Sequence, residues 1–334
     1  KLRAVAGIRV RQPLGELAIT NGALLKNGEL VNLIKDEVNV KKITFDALEL
    51  IGGMTGIVSG EDTVFIKPNY VTGGLMGHDP VSAGEIPHPD VVVTVIEEAL
   101  KAGAKEVIVG EWVERPPVIL FGGTEGKEGA QIKKRVDALN KKYGQKVSLI
   151  NLMAHTAFFT YHPSQTKLGR IAIPDIVSNA DVVISIAVLK THHRPSPVTF
   201  GLKNLMGIMP STLYGEPRSK LHAAGVHQII VDINKAVKPD LVVTSGIFGM
   251  EGEGVTTWLK GTPVDVTQRL GAGLVIASKD PVACDATAAR IITKGWDPKQ
   301  ETTPEGIPYH VHHLRLAQAQ GLGTLDSRLI KILG

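Results

Sequence analysis

The sequence predicts an α/β protein, with mostly parallel sheets flanked by helices and two lobes facing a cleft. Three observations carry that expectation. Thr63–Ile66, Pro89–Gly103 and Lys105–Val109 read as strand, helix and strand, the pattern of a parallel crossover. Asp181–Leu189, DVVISIAVL, is an almost unbroken apolar run, which suits a strand covered on both faces. Aromatic residues make up 4% of a chain that is 43% hydrophobic, so the core rests on Val, Ile, Leu and Ala. At 334 residues the chain is long for one core. The expected lobes are 1–150 and 168–334, with the boundary in the composition break near 152–168.

The elements follow from local pattern. Ala4–Val10 reads as a strand, and Phe45–Val58 has apolar residues at helical spacing up to the Gly52-Gly53 break. The strand at 63–66 stops at Lys67-Pro68-Asn69, and a Gly/Pro-rich loop, long enough to be functional, runs from 70 to 89. Pro89 opens a helix that Gly103 ends. The next strand finishes at Gly110-Glu111, before a second Gly/Pro-rich loop at 112–129. A charged helix at 130–143 leads to the strand Val147–Asn151. Residues 168–173 read as a strand, 174–180 as a short helix, and 181–189 as a central strand. Helix is expected at 198–208 and 227–237, strand at Pro239–Val243, then a Gly-rich run at 246–254. The strand 274–280 meets a helix at 280–295, with Asp280 as its cap and Pro281 at its first position. A last helix spans 312–323, stopped by Gly321.

Composition narrows the function classes. The 37 basic and 33 acidic residues give a net charge of +4 spread along the chain, without the basic stripe and interleaved aromatics of a nucleic-acid binder. A few clustered cations fit a small anionic ligand better. No apolar run approaches the roughly 18 residues that would span a bilayer. The single cysteine, Cys284, rules out an internal disulfide and a four-cysteine zinc or iron–sulfur site, and it reads as a small core filler. Lys1 in place of Met leaves two compartments open: exported after signal removal, or cytoplasmic.

The chemistry-bearing residues cluster where strands end. Lys190, Thr191, His192, His193 and Arg194 cap the apolar run at 181–189, the way an open α/β sheet presents a site at its carboxyl edge. Adjacent histidines on an extended chain point to opposite sides, so at most one of His192 and His193 faces a given pocket. Lys67 and Asn69 can hold a carboxylate or phosphate, or simply punctuate a turn. His88 can donate to a ligand above a helix start or cap that helix. Glu111 suits a base or a metal ligand, and equally a solvated loop carboxylate. Lys203 and Asn204 lie on GLKNLMG, a helix start without P-loop spacing. Lys190, His192 and Glu111 are therefore the catalytic candidates, and Lys67, Asn69, His88, Lys203 and Asn204 the ligand-binding ones. A divalent-metal reading takes His192, His222 and Glu251. The YHVHH run at 309–313 is a metal tract by composition only, and Asp285 reads as helix-borne site chemistry or an ion pair.

Taken in order, several motifs resemble the family called domain of unknown function 362. They are Lys67-Pro-Asn69, His88-Pro89, Val109-Gly-Glu111, Leu189-Lys-Thr-His192, Gly201–Gly207, Lys238–Leu241, Met250-Glu-Gly252 and Asp280–Asp285, across residues 60–325. The resemblance implies an α/β protein of bacteria and archaea, in cytoplasmic and exported forms. Some members carry a ferredoxin-type cluster domain, which one cysteine cannot furnish. The family is in turn similar to lactate-racemase-type proteins, which implies a ligand in a cleft between lobes. Two positions depart from the family pattern. Ser245 stands where an Asp is usual, and Gly254-Val255 where Gly-Pro is usual. If that Asp is a ligand in relatives, this chain has altered or lost the activity.

Three readings remain open on the sequence. The first is an enzyme or binding protein in which lysines neutralise a small anion and His192 moves a proton. The second is a metal-dependent enzyme. The third is a non-catalytic subunit that self-assembles into a homo-oligomer through its long loops. The first requires Lys67 and Lys203 to share one pocket.

Overall fold

The computed structural model describes residues 16–21, 23–26, 29–32, 39–70, 79–112, 129–163, 168–192, 198–215, 218–252, 260–266, 268, 273–294 and 311–333. Its strands in chain order are β1 (Glu16–Asn21), β2 (Ala23–Lys26), β3 (Glu29–Asn32), β4 (Thr63–Pro68), β5 (Glu106–Glu111), β6 (Val147–Asn151), β7 (Phe158–Tyr161), β8 (Ile171–Pro174), β9 (Val182–Lys190), β10 (Leu241–Gly252), β11 (Gly261–Asp265), β12 (Leu274–Ser278) and β13 (Lys331–Leu333). The helices are α1 (Val40–Leu50), α2 (Pro89–Lys101), α3 (Gly129–Tyr143), α4 (Asp175–Ser178), α5 (Gly201–Asn204), α6 (Ser211–Tyr214), α7 (Ser219–Ala223), α8 (Val226–Val237), α9 (Pro281–Lys294) and α10 (His312–Ala319).

A nine-stranded sheet organises the chain in the order β13-β1-β12-β10-β9-β4-β5-β6, with β11 paired to β10. Five of its pairings are parallel and three antiparallel, so the sheet is mixed but mostly parallel. Strands from both sides of residues 152–168 lie edge to edge in it, since β4 pairs with β5 on one side and β9 on the other. Helices cover both faces. Val64, Ile66, Val182 and Ile184 pack in one apolar layer with residues of α1, α2 and α3. Phe65 and Val183 point the other way, into a layer shared with α8, α9 and α10. This alternation is the period of two along a strand, and it explains why every residue of β9 is buried.

The topology also selects where a ligand would sit. From β4 the chain winds outward through β5 and β6. It then returns to lay β9 against the opposite edge of β4. The gap above the carboxyl ends of β4 and β9 is therefore a switch point, the place where open α/β sheets bind ligands.

Local chemistry sets the element ends. The Asn39 side chain accepts from the Lys42 amide at 3.0 Å to start α1, and Gly52 and Gly53, at φ +96° and +71°, stop it. Pro89 begins α2, and Gly103 ends it at φ +100°. Asp280 caps α9 as expected, accepting from the Val282 and Ala283 amides, and Cys284 is fully buried in the core.

Several expectations need correction. Residues 198–208 form not one helix but the four-residue α5 followed by a 3-10 turn at Leu205–Ile208. Gly201 lets the start of α5 pack directly on β10, since a Cβ there would lie 2.2 Å from Val242 Cγ1. The Gly-rich run after 246 continues as strand to Gly252, because β10 is hydrogen-bonded on both sides, with a register shift between Ser245 and Gly249. The strands β1, β11 and β13 were not expected. The predicted strand at 4–10, His193, Arg194 and much of the loop at 112–129 lie outside the described residues.

Candidate functional site

The carboxyl ends of β9, β4 and β5 bring Lys190, Lys67 and Glu111 together, and α5 supplies Lys203 and Asn204 from above. All five are buried. The Lys67 amine lies 2.5 Å from Glu111 Oε2 and also donates to the Pro68 carbonyl and to Asn204 Oδ1. Glu111 further accepts from the backbone amides of Tyr70 and Trp112, at 3.1 and 2.9 Å. This carboxylate is thus fully engaged, as a buried charge must be. Burial holds the Lys67 amine below its ordinary range, against the attraction of Glu111.

Lys190 donates to Asn69 Oδ1 at 2.9 Å and to the Glu85 carbonyl at 2.7 Å. Asn204 ties the assembly to the sheet, its amide donating to the carbonyls of Lys67 and Ile186 and to Ser185 Oγ. Ser185 Oγ in turn donates to the Gly201 carbonyl. Asp285, on α9, accepts from the amides of Gly201 and Leu202 at 2.8 and 2.9 Å and so anchors the start of α5. Burial pushes its carboxyl up to about 7, although both amides oppose the rise.

Two amines in the cluster are far from ordinary. Burial lowers Lys190 to about 7, helped by the nearby charges of Lys203 and Lys67 and opposed by Glu85 and Glu111. Burial alone lowers Lys203 to about 7. Among the described residues Lys203 makes no hydrogen bond or ion pair. The Tyr70 hydroxyl, also buried, has no hydrogen-bond partner among them either, and burial next to Glu111 pushes its phenol upward.

Gly207 backs the ion pair closely. A Cβ at this position would lie 2.7 Å from Glu111 Oε1 and Lys67 Cε, and 2.8 Å from Lys67 Nζ. Gly207→Ala is expected to cost roughly 1–3 kcal/mol through overpacking. Chemical denaturation would measure it, and an unchanged midpoint would mean that the pair is free to move aside.

The other predicted residues are placed differently. His88 Nδ1 accepts from the Asp90 amide, so this histidine caps α2, and burial holds its imidazole below the ordinary value. Its backbone amide donates to Ser245 Oγ at 3.2 Å, which ties the start of α2 to β10. His192 is half-buried just beyond β9, and Glu251 is half-buried near the end of β10. His222 is exposed on α7, its ring facing the Arg218 carbonyl. Among the described residues no group of three or more His, Cys, Asp or Glu is placed to hold a metal, so His192, His222 and Glu251 are not gathered into one site. The ring of His227 lies tilted to that of His312 and stacked on that of His313, and the charge of Lys203 reaches the buried His313.

Sequence reasoning missed Glu85, Ser185 and Tyr70. A single hydroxyl within the apolar run 181–189 was the available signal for Ser185. Glu85 lies within the loop at 70–89, where nothing in the sequence ties it to Lys190, which it meets through its carbonyl and as a nearby charge.

Comparison with known proteins adds three findings. The family model described as domain of unknown function (DUF362) matches residues 64–290. A thylakoid-associated protein of Synechocystis is 27% identical over 248 residues, which is 73% of this chain and 67% of the relative. The apoprotein structure of lactate racemase from Thermoanaerobacterium thermosaccharolyticum is similar with a TM-score of 0.39 and 12% identity over 69% of this chain. The chain spans about half of that structure, 53% of its length.

Proposed function

The chain belongs to the DUF362 family, which is defined without a reaction, and from the geometry we propose that it binds a small organic anion, a carboxylate or phosphate, between Lys203 and Lys190. The carrying observation is the convergence of three buried lysines, of which, among the described residues, Lys67 alone has a hydrogen-bonded carboxylate. A buried amine loses its proton unless an opposite charge is supplied. An anion near Lys203 and Lys190 supplies it and draws both amines back towards their ordinary range.

The same arrangement suits proton transfer. In the ligand-free protein a lysine near 7 is partly unprotonated around neutral pH and can take the proton of a ligand that arrives as an acid, becoming the cation that then holds the anion. Lys190 is fixed for this by Asn69 and the Glu85 carbonyl. The Lys67–Glu111 pair forms the floor and holds Asn204, the neighbour of Lys203, in register. His192, half-buried beyond β9, is the candidate to exchange that proton with solvent.

Thermal melting at constant ionic strength tests the reading, with sulfate, orthophosphate, succinate and acetate as probes and choline chloride as control. At least one anion should stabilise the protein saturably, by about 2.7 kcal/mol at a hundredfold excess over its dissociation constant. Lys203→Met should abolish the response. If no probe exceeds the control, or the variant responds like the wild type, the site does not bind small anions.

A further inference from the structure

A second groove of about 430 Å³ lies between the β7–β8 hairpin and the α6–α7 segment, among residues that the lysine cluster does not use. Its build follows from strand alternation. Thr160 pairs with Ala172, so Phe158 and Thr160 share a face with Ala172, and Leu168 and Arg170, from the turn before β8, line the same groove. Ile171 and Ile173 point the other way and are buried in the core. The opposite wall is α6, locked to the hairpin by the Ala172 amide, which donates to the Tyr214 hydroxyl at 2.8 Å.

Among the described residues the lining is apolar at Phe158, Leu168 and Leu213 and cationic at Arg170 and Lys220, with no acidic residue. Leu213 is 48% exposed and so offers apolar surface at the groove. Arg170 makes no hydrogen bond or ion pair among the described residues. Lys220 donates to the Leu213 carbonyl at 3.2 Å, which leaves its other protons available. The volume falls within the range of small-molecule sites, which combine apolar walls with a few placed polar groups.

We propose that this groove binds a monocarboxylate with an apolar body, an aliphatic or aryl acid, its carboxylate on Arg170 and Lys220 and its body against Phe158, Leu168 and Leu213. Charge complementarity selects an anion, and the guanidinium fork suits a carboxylate bidentately. The apolar walls select a ligand larger than a bare inorganic ion. The site stands apart from the lysine cluster and does not depend on it.

Octanoate is the probe, titrated into the full chain by calorimetry, with octanol as the uncharged control. Saturable binding is expected, weakened about tenfold by Arg170→Gln and by Leu213→Asp and unchanged by Lys203→Met. Octanol should bind more weakly than octanoate. Arg170 and Leu213 are exposed, and unchanged melting temperatures would show that both variants fold. Absence of saturable octanoate binding overturns the proposal. So does equal binding of octanol, or binding that survives both groove substitutions. Loss in Lys203→Met alone would place octanoate at the lysine cluster and overturn the groove assignment while supporting the anion site.

Discussion

Glu111→Ala should lower the free energy of unfolding by roughly 3–5 kcal/mol, the cost of leaving a buried charge without its partner. Lys67 and Glu111 are 1% and 5% exposed at their side chains, so water cannot replace the lost contact. The substitution also strips the amides of Tyr70 and Trp112 of their acceptor. Glu111→Gln keeps an oxygen for one of them and removes the charge, and should cost less. The double change Lys67→Met with Glu111→Leu should recover much of the loss, because apolar replacement of a buried pair is often neutral or better. Denaturant melts of the three variants measure all of this. A loss under about 1 kcal/mol for Glu111→Ala would mean that the pair is solvated and the cluster open.

Lys203→Met should do the opposite in the ligand-free protein, raising stability by roughly 1–4 kcal/mol while abolishing anion binding. The amine is 8% exposed, and burial alone sets its pKa at about 7 against an ordinary 10.5. The sign of the pH dependence follows. Between about 7 and 10.5 the unfolded chain holds a proton that the folded amine has released. Stability therefore rises with pH across that window and levels off above it. Lys190 adds a second contribution of the same sign in the same window. Lys203→Met should remove one of the two and flatten the rise. Asp285 acts below this range: its carboxyl, raised from 3.8 to about 7, makes stability fall as pH climbs between those values. A gain in stability coupled to a loss of binding marks a residue kept for function. A variant that loses both would mark Lys203 as structural.

Much of the site was legible in the sequence because it sits where apolar strands stop. Lys67, Glu111 and Lys190 end β4, β5 and β9, and the chemistry of strand termini in parallel sheets pointed to them. Lys203 and Asn204 were legible as polar residues on an apolar segment. Their grouping was not, because it depends on strand order, which places β9 beside β4 although more than a hundred residues separate them. His88 illustrates an ambiguity that only geometry removes, since a ligand-binding and a capping histidine look alike before Pro89. Asp285 was visible as a helix-borne carboxylate, but its role at α5 is a contact across 84 residues. The break of 198–208 into two short turns was hidden because its apolar spacing is helical, while the packing of Gly201 on Val242 is a tertiary fact. Strand β1 escaped because its pairing with β12 and β13 runs through backbone bonds that leave little mark on composition.

The central claim is that a small anion restores charge to buried amines. Protein labelled with ¹³C at lysine Cε allows each amine to be titrated by NMR, with and without the anion that stabilises most in the melting panel. The account predicts two lysines, lost in Lys190→Met and Lys203→Met respectively, that titrate near 7 in the free protein and move towards 10.5 when the anion is bound. Two amines that already titrate near 10 without ligand, or that stay near 7 when the anion is saturating, would contradict it.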